Sequence, residues 1–295
     1  MKVLLVVNPV SGTEDKSDFL DFTRDIAYKY GFEIETYYTC GNDDIIKLEK
    51  EIEEYQPDRV CSVGGDGTIL LAAEALINKD ISLGIVPMGS ANGMASELEI
   101  SQNPNSAFMD AITTRFTKKI DLICVNQKHY MLHLGDVGVN AEVVRKYSEE
   151  GNHGFFHYLK HFTKEVFDAD TFKAEIETPE GKHTYDLHSL IIANARKYGT
   201  GAVVNPKGDM FDGQMELILV KDLGVMDLLT LGLSRIDESA SETLENTIIR
   251  CKSAKIHIEP ARNYQVDGEY LGKTTEICLK VVPAAVPILL TRKNL

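Results

Sequence analysis

The run Arg59-Val60-Cys61-Ser62-Val63-Gly64-Gly65-Asp66-Gly67-Thr68-Ile69-Leu70-Leu71-Ala72-Ala73 passes from an apolar segment, through three glycines around one aspartate, into a helix-forming segment. A short apolar run closed by glycine reads as a strand buried on both faces, and Thr68–Asn78 reads as the helix after it. The same unit recurs on both sides. Lys2–Val7 runs into Asn8-Pro9-Val10-Ser11-Gly12, and Ser82–Val86 runs into Pro87-Met88-Gly89-Ser90-Ala91-Asn92-Gly93. Between them, Ser17–Tyr30 has helical periodicity and Gly31 is a good C-terminal stop. Phe32–Tyr38 reads as a strand, Asp43–Tyr55 as an amphipathic helix, and Asn92–Leu98 as a short helix. Strands alternating with helices imply right-handed crossovers and a mostly parallel sheet.

After about Asp121 the pattern changes. Leu122–Val125, Tyr130–Asp136, Thr171–Thr178, His183–Ala193, Met215–Val220, Cys251–Glu259, Tyr264–Val266 and Thr275–Val281 read as strands joined by turns, and Gly154–Asp168 and Gly224–Ser234 as helices. The expected fold class is α/β plus β. A mostly parallel α/β domain covers residues 1–121, and an antiparallel β domain follows.

Composition limits the function classes. The 295 residues carry 31 Lys+Arg against 45 Asp+Glu, a net charge of −14. That argues against a nucleic-acid partner, which needs basic surface to replace counterions. The charge is uneven, −10 over residues 1–121 and −4 over the rest. No segment has the ~18 apolar residues needed to span a bilayer. Five cysteines without CxxC spacing read as reduced thiols, so a cytoplasmic protein is expected.

The three glycine loops carry the chemistry. In an open parallel sheet, ligands bind beyond the carboxyl ends of the strands. Glycines there let backbone N–H groups approach phosphate oxygens, and the helix after Gly67 aims its dipole at the same place. Asp66 has the oxygen donors that Mg²⁺ prefers. The sequence lacks GxxxxGK[ST] and a well-formed GxGxxG unit, so neither a P-loop nor a dinucleotide Rossmann site is supported.

Asn8-Pro9-x-Ser11-Gly12, Gly64-Gly65-Asp66-Gly67-Thr68 and Gly89-Ser90-Ala91-Asn92 resemble the three signatures of the diacylglycerol kinase / sphingosine kinase catalytic family, which includes bacterial soluble lipid kinases. Leu134–Glu142, Ala193–Gly201, Asn205-Pro206 with Asp212–Leu217, and Val266-Asp267-Gly268-Glu269 resemble its β-domain signatures. The resemblance implies that the first domain is a three-layer, NAD kinase-like nucleotide-binding domain. It implies a β-sandwich over residues 122–284, with about 285–295 packing back on the first domain. It implies ATP and Mg²⁺ as cofactors and a diacylglycerol-like or sphingoid lipid as substrate. ATP would lie against Asn8, Pro9, Val10, Ser11 and Gly12, against Gly64, Gly65, Asp66, Gly67, Thr68, Ile69, Leu70 and Leu71, and against Ser90 and Asn92, with Thr39 beside it. A structural Mg²⁺ would be held by Asp212 with the carbonyls of Asp209 and Gln214, and Asp121 would share a metal network with Asp66. Asp267 would accept the proton of the lipid hydroxyl, with Asp66 and Glu269 as competing candidates. A homodimer and transient contact with a membrane surface also follow from the resemblance.

Three positions depart from the family pattern. Leu70 and Leu71 stand where an Asn-Glu pair is usual, and Gly93 where many members carry Asp. These positions keep two alternatives open: an NAD kinase-like activity, because NAD kinases share Gly64–Thr68, and a non-catalytic nucleotide- or lipid-binding member. Asp267-Gly268 and Asp212-Gly213 are also strong turn dipeptides in their own right. His153, His157 and His161 have ligand-like spacing but no accompanying carboxylate or thiol cluster, and read as a solvated helix face. Lys160 and Lys164, on the same aromatic-rich helix, mark the expected membrane-facing patch.

Overall fold

The computed structural model describes residues 1–12, 15–138, 141, 170–197, 205–221 and 248–291. The two expected helices in 154–168 and 224–234, the three histidines, and Lys160 and Lys164 lie outside them. The chain forms two compact units, Met1–Ile120 with Ala284–Leu295, and Asp121–Pro283.

In the first unit the strands are β1 (Lys2–Val7), β2 (Glu33–Tyr38), β3 (Arg59–Gly64) and β4 (Ser82–Pro87). They pair in parallel in the order β2-β1-β3-β4, and Ile288 of the long last strand lies beside Leu83 of β4. Helices α1 (Ser17–Tyr30), α2 (Asp44–Tyr55), α3 (Asp66–Leu76), α4 (Gly93–Glu97) and α5 (Pro104–Thr113) complete the unit. Alternate residues of β1 divide between two faces. Val3, Leu5 and Val7, with Val63 and Val86, bury Phe19 and Leu20 of α1 and Phe108 of α5. The rings of Phe19 and Phe108 meet edge to face at 5.9 Å. The opposite face lies under α3, which contacts α2. A sheet clad on both faces must be apolar throughout, which is why its strands read as continuous apolar runs.

Helix α5 had no counterpart in the sequence reading. Asn103 caps it by accepting Ser106 N–H at 3.0 Å, and Pro104 occupies its first turn.

The second unit is antiparallel. Its strands are β5 (Phe116–Val125), β6 (His129–Met131), β7 (Leu134–Gly138), β8 (Phe172–Thr178), β9 (Gly181–Leu187), β10 (Ser189–Ala193), β11 (Met215–Val220), β12 (Ile248–Cys251), β13 (Ser253–Val266) and β14 (Glu269–Leu290), except that β5 up to Ile120 and β14 from Ala284 belong to the first unit. The order β12-β11-β10-β7 continues into the end of β13, where Tyr264–Val266 pair with β7. The start of β13 pairs instead with β8, through Lys255–Glu259, and the pairing of β13 with β14 changes register between His257 and Arg262. One strand thus serves two sheets, and the core lies between them. Phe172, Ala174 and Ile176 of β8 face Ala254, Ile256 and Ile258 of β13, with Leu217 and Leu219 of β11 in the same cluster.

Two expected strands are interrupted. Tyr130–Asp136 breaks at Leu132-His133, because the amides there are turned toward Asp267. His183–Ala193 breaks at His188, whose N–H donates to Val220 O at 2.8 Å.

Candidate active site

The three glycine loops come together in the first unit. Asn8 N–H donates to Val63 O, and Met88 N–H to Gly64 O, so the ends of β1, β3 and β4 are tied side by side. Ser11 Oγ lies 3.3 Å from Met88 O. Gly12 adopts φ +67, and a Cβ there would sit 2.7 Å from Met88 O. A Cβ on Gly89 would fall 2.3 Å from Gly65 Cα, so the second and third loops touch backbone to backbone.

Asp66 joins the same two loops through its side chain. Its Oδ2 accepts Gly93 N–H and its Oδ1 accepts Met94 N–H, both at 2.9 Å. The carboxylate therefore caps the first amides of α4, which α4 itself cannot satisfy. Asn92 turns inward, its Oδ1 accepting Gly89 N–H at 2.9 Å. Gly67, Ser90, Pro9 and Val10 remain exposed on this surface. A Cβ on Gly67 would meet nothing within 4 Å. Thr39, half-buried at the end of β2, donates its N–H to Val7 O. Ile69 is buried and belongs to the core, while Leu70 and Leu71 are half-buried.

In the second unit, Asp267 and Gly268 form the two-residue turn between β13 and β14. Both are left-handed, at φ 48 and 84. The turn reading of this dipeptide is therefore correct, and the aspartate does more besides. Its Oδ2 accepts Leu132 N–H at 2.7 Å, and its Oδ1 accepts the N–H groups of His133 and Leu134 at 2.9 and 3.0 Å. Glu269 is exposed.

Residues 2–125 match the family model described as the diacylglycerol kinase catalytic domain, and residues 136–290 match the YegS C-terminal NAD kinase beta sandwich-like domain. The chain belongs to the diacylglycerol kinase catalytic family. It is a kinase. A Mycobacterium tuberculosis protein named diacylglycerol kinase is 26% identical over 80% of this chain and 77% of its own. A Yersinia enterocolitica protein named probable lipid kinase YegS-like is 28% identical over 96% of this chain and 95% of its own. A crystal structure of a diacylglycerol kinase from Bacillus anthracis superposes with a TM-score of 0.76 at 20% identity, covering 100% of this chain and 98% of that one. That likeness concerns the fold.

In the kinase, the acidic turn before β11 is tied to Asp121. Asp121 is buried, and its Oδ2 accepts Gly213 N–H at 2.7 Å. Asp212 Oδ1 accepts Gln214 N–H at 2.9 Å, Asp209 Oδ1 accepts Phe211 N–H at 3.0 Å, and Asp209 O accepts Asp212 N–H at 3.3 Å. No group of three or more His, Cys, Asp or Glu side chains is gathered for a metal among the described residues. The donors of this turn nevertheless fit Mg²⁺. One carboxylate and two backbone carbonyls are hard oxygen ligands, and exposure of Asp212 lets water fill the remaining positions. Behind the turn, buried Glu216 accepts Asn205 Nδ2–H at 2.8 Å and pairs with Arg250 Nε at 3.2 Å. Burial pushes its carboxyl above the usual carboxylate range, against the opposing pull of Asn205 and Arg250.

Lys16 escaped the sequence reading, because none of the three loops contains a basic residue. It is 6% exposed, and its Nζ donates to Ser11 O at 2.6 Å, so an ammonium group underlies the first loop. Its position five residues past Ser11, at the start of α1, was the available signal. Beside it a cavity of about 280 Å³ has Pro9, Lys16, Arg24 and Tyr38 in its wall together with Asp15 and Asp21. Among the described residues no helix is long and apolar enough to cross a membrane.

Proposed function

We propose that the protein is an ATP- and Mg²⁺-dependent lipid kinase that phosphorylates a hydroxyl of a diacylglycerol-like or sphingoid lipid. The interlocked glycine loops support this reading above all. They present exposed backbone at Gly67 and Ser90 beside the first turn of α3, whose leading amides lack intrahelical acceptors. Polyphosphate is the ligand such a surface suits. The cavity beside the first loop, with Tyr38 on its wall, is assigned to the nucleoside end.

Phosphoryl transfer needs alignment and charge neutralisation more than covalent chemistry, because its transition state is loose. Little negative charge need build on the attacking oxygen, so an orienting carboxylate suffices as proton acceptor. Asp267 is assigned that role. Its three amide bonds fix where the carboxylate points. Glu269 has no such anchoring amides among the described residues, whereas the Asp66 carboxylate is also fixed by amides, those of α4; the resemblance of Val266–Glu269 to the family signature is what favours Asp267 over both. Mg²⁺ at Asp212, with the carbonyls of Asp209 and Gln214, would neutralise the acidic turn and hold it to β11. The relatives named lipid kinase and diacylglycerol kinase support the choice of a lipid acceptor.

Purified protein given ATP, Mg²⁺ and a panel of lipid alcohols in detergent is expected to yield phosphorylated lipid. NAD in place of lipid is expected to yield none. Asp267→Asn should abolish turnover with nucleotide affinity nearly intact. Phosphorylated NAD without phosphorylated lipid, or wild-type turnover in the Asn variant, would overturn the corresponding assignment.

A further inference from the structure

The Asp267-Gly268 turn is gripped by a pair of buried polar side chains that no part of the proposed chemistry requires. Asp136 of β7 and Gln265 of β13 face one another in the antiparallel ladder and are 0% and 2% exposed. Gln265 Nε2–H donates to Asp136 Oδ2. The opposite end of the same amide, Oε1, accepts Gly268 N–H at 2.8 Å. With its nitrogen turned to a carboxylate, the Gln265 amide has only one orientation, oxygen toward Gly268.

In a two-residue hairpin turn of this hand, the closing hydrogen bonds run between the residues that flank the turn. The N–H of the second turn residue is left over. Here Gln265 takes it, which clamps the Asp267–Gly268 peptide itself. Asp267 N–H donates to Leu134 O at 2.9 Å, and its carboxylate receives the three amides of 132–134. The residue is thus held at its backbone on both sides and at its side chain.

An aspartate and a glutamine buried between two strands are a poor way to stabilise a sheet. An apolar pair of similar volume would serve as well or better. The pair makes sense as a means of aiming. We propose that Asp136 and Gln265 are positioning residues for Asp267: they fix the turn so that its carboxylate meets the lipid hydroxyl in one geometry. This rests on the assignment of Asp267 as the proton acceptor.

The test uses the full chain. The apolar double variant Asp136→Leu/Gln265→Met removes both members of the buried pair and leaves only the N–H of exposed Gly268 to water, so it should fold. It should lose about 10- to 100-fold in kcat, the scale of a misplaced reacting group, with KM for ATP within twofold of wild type. Asp136→Asn keeps an oxygen for Gln265 and should recover most of that loss. Hydrogen exchange supplies a readout independent of turnover: the Gly268 amide should exchange faster in Gln265→Met than in wild type. A double variant with wild-type kcat, or unchanged exchange at Gly268, overturns the proposal while leaving the kinase reading intact. A wild-type protein that phosphorylates no lipid overturns the kinase reading, and the positioning role with it.

Discussion

Gly67→Ala and Gly89→Ala separate the architecture of the phosphate cradle from its ligand. A methyl on Gly89 would lie 2.3 Å from Gly65 Cα, 2.8 Å from Gly65 N and 3.0 Å from Asn92 Oδ1. Carbon atoms in contact prefer about 3.5–4.0 Å, so the two loops must part by roughly 1.2 Å or more. Overpacking of this kind costs about 1–3 kcal/mol. For a unit of this size that lowers Tm by roughly 3–10 °C. The displaced amides should also weaken ATP binding at least tenfold. Gly67 is the opposite case. It lies in the first turn of α3 and a methyl there meets only open space. Alanine favours a helix over glycine by about 0.5–1 kcal/mol, so Tm should rise by roughly 2–4 °C. If phosphate oxygens pack against Gly67, the same methyl should raise the Kd for ATP about tenfold, close to 1.4 kcal/mol. Differential scanning fluorimetry and titration with a fluorescent ATP analogue read both quantities on the same samples. A Gly67→Ala protein that is more stable and binds ATP as wild type does would refute the idea that the loops cradle phosphate at this point. A Gly89→Ala protein with unaltered Tm would refute the tight seating of one loop on the other.

Three further outcomes follow from the same geometry. Asp267→Asn leaves one acceptor oxygen for three amides and turns an NH2 toward an N–H, which should cost about 1–3 kcal/mol; thermal unfolding checks this, and turnover in the variant must be assayed below its melting temperature. Glu216 is held above its ordinary value of 4.5 by burial, so the folded state takes up a proton before the unfolded chain does, and the cost of its charge is relieved as pH falls. Glu216→Gln should therefore show a stability advantage over wild type that is greatest near neutrality and closes toward pH 4.5; denaturant titrations across that range would reject this if the gap were constant. Cys61 and Cys251 are buried, with thiols pushed up to about 12, whereas Cys40 is exposed. Cys124 and Cys278 are half-buried, so a chromogenic disulfide reagent should show its fastest phase at Cys40, lost in Cys40→Ser, ahead of slower phases.

What the sequence discloses depends on how far away the cause of a feature lies. Strands β1, β3 and β4 are legible because burial on both faces makes each a continuous apolar run. Helix α1 ends where Gly31 predicts, its φ of 68 suiting glycine. The interruption between β6 and β7 leaves no local sign, because its cause is the carboxylate of Asp267, more than 130 residues downstream. The engagement of Asp66 with Gly93 and Met94 is hidden for the same reason: 27 and 28 residues separate the partners. Helix α5 was legible in principle, since Asn103-Pro104 is a start signal, but Pro-Asn-Ser also reads as loop. The Asp267-Gly268 turn shows in two letters. The three amides that its side chain collects do not.

The capping of α4 by Asp66 also decides what holds the second and third loops together. Two of the three are fastened to each other by a single negative charge and two backbone dipoles, all supplied by the chain itself. No cation is required to hold them shut. The entropy of ordering these loops is thus spent when the protein folds, and under the proposed reading none of it is left for the nucleotide to supply. Gly93 contributes by what it lacks: a side-chain carboxylate there would set a second negative charge close to that of Asp66.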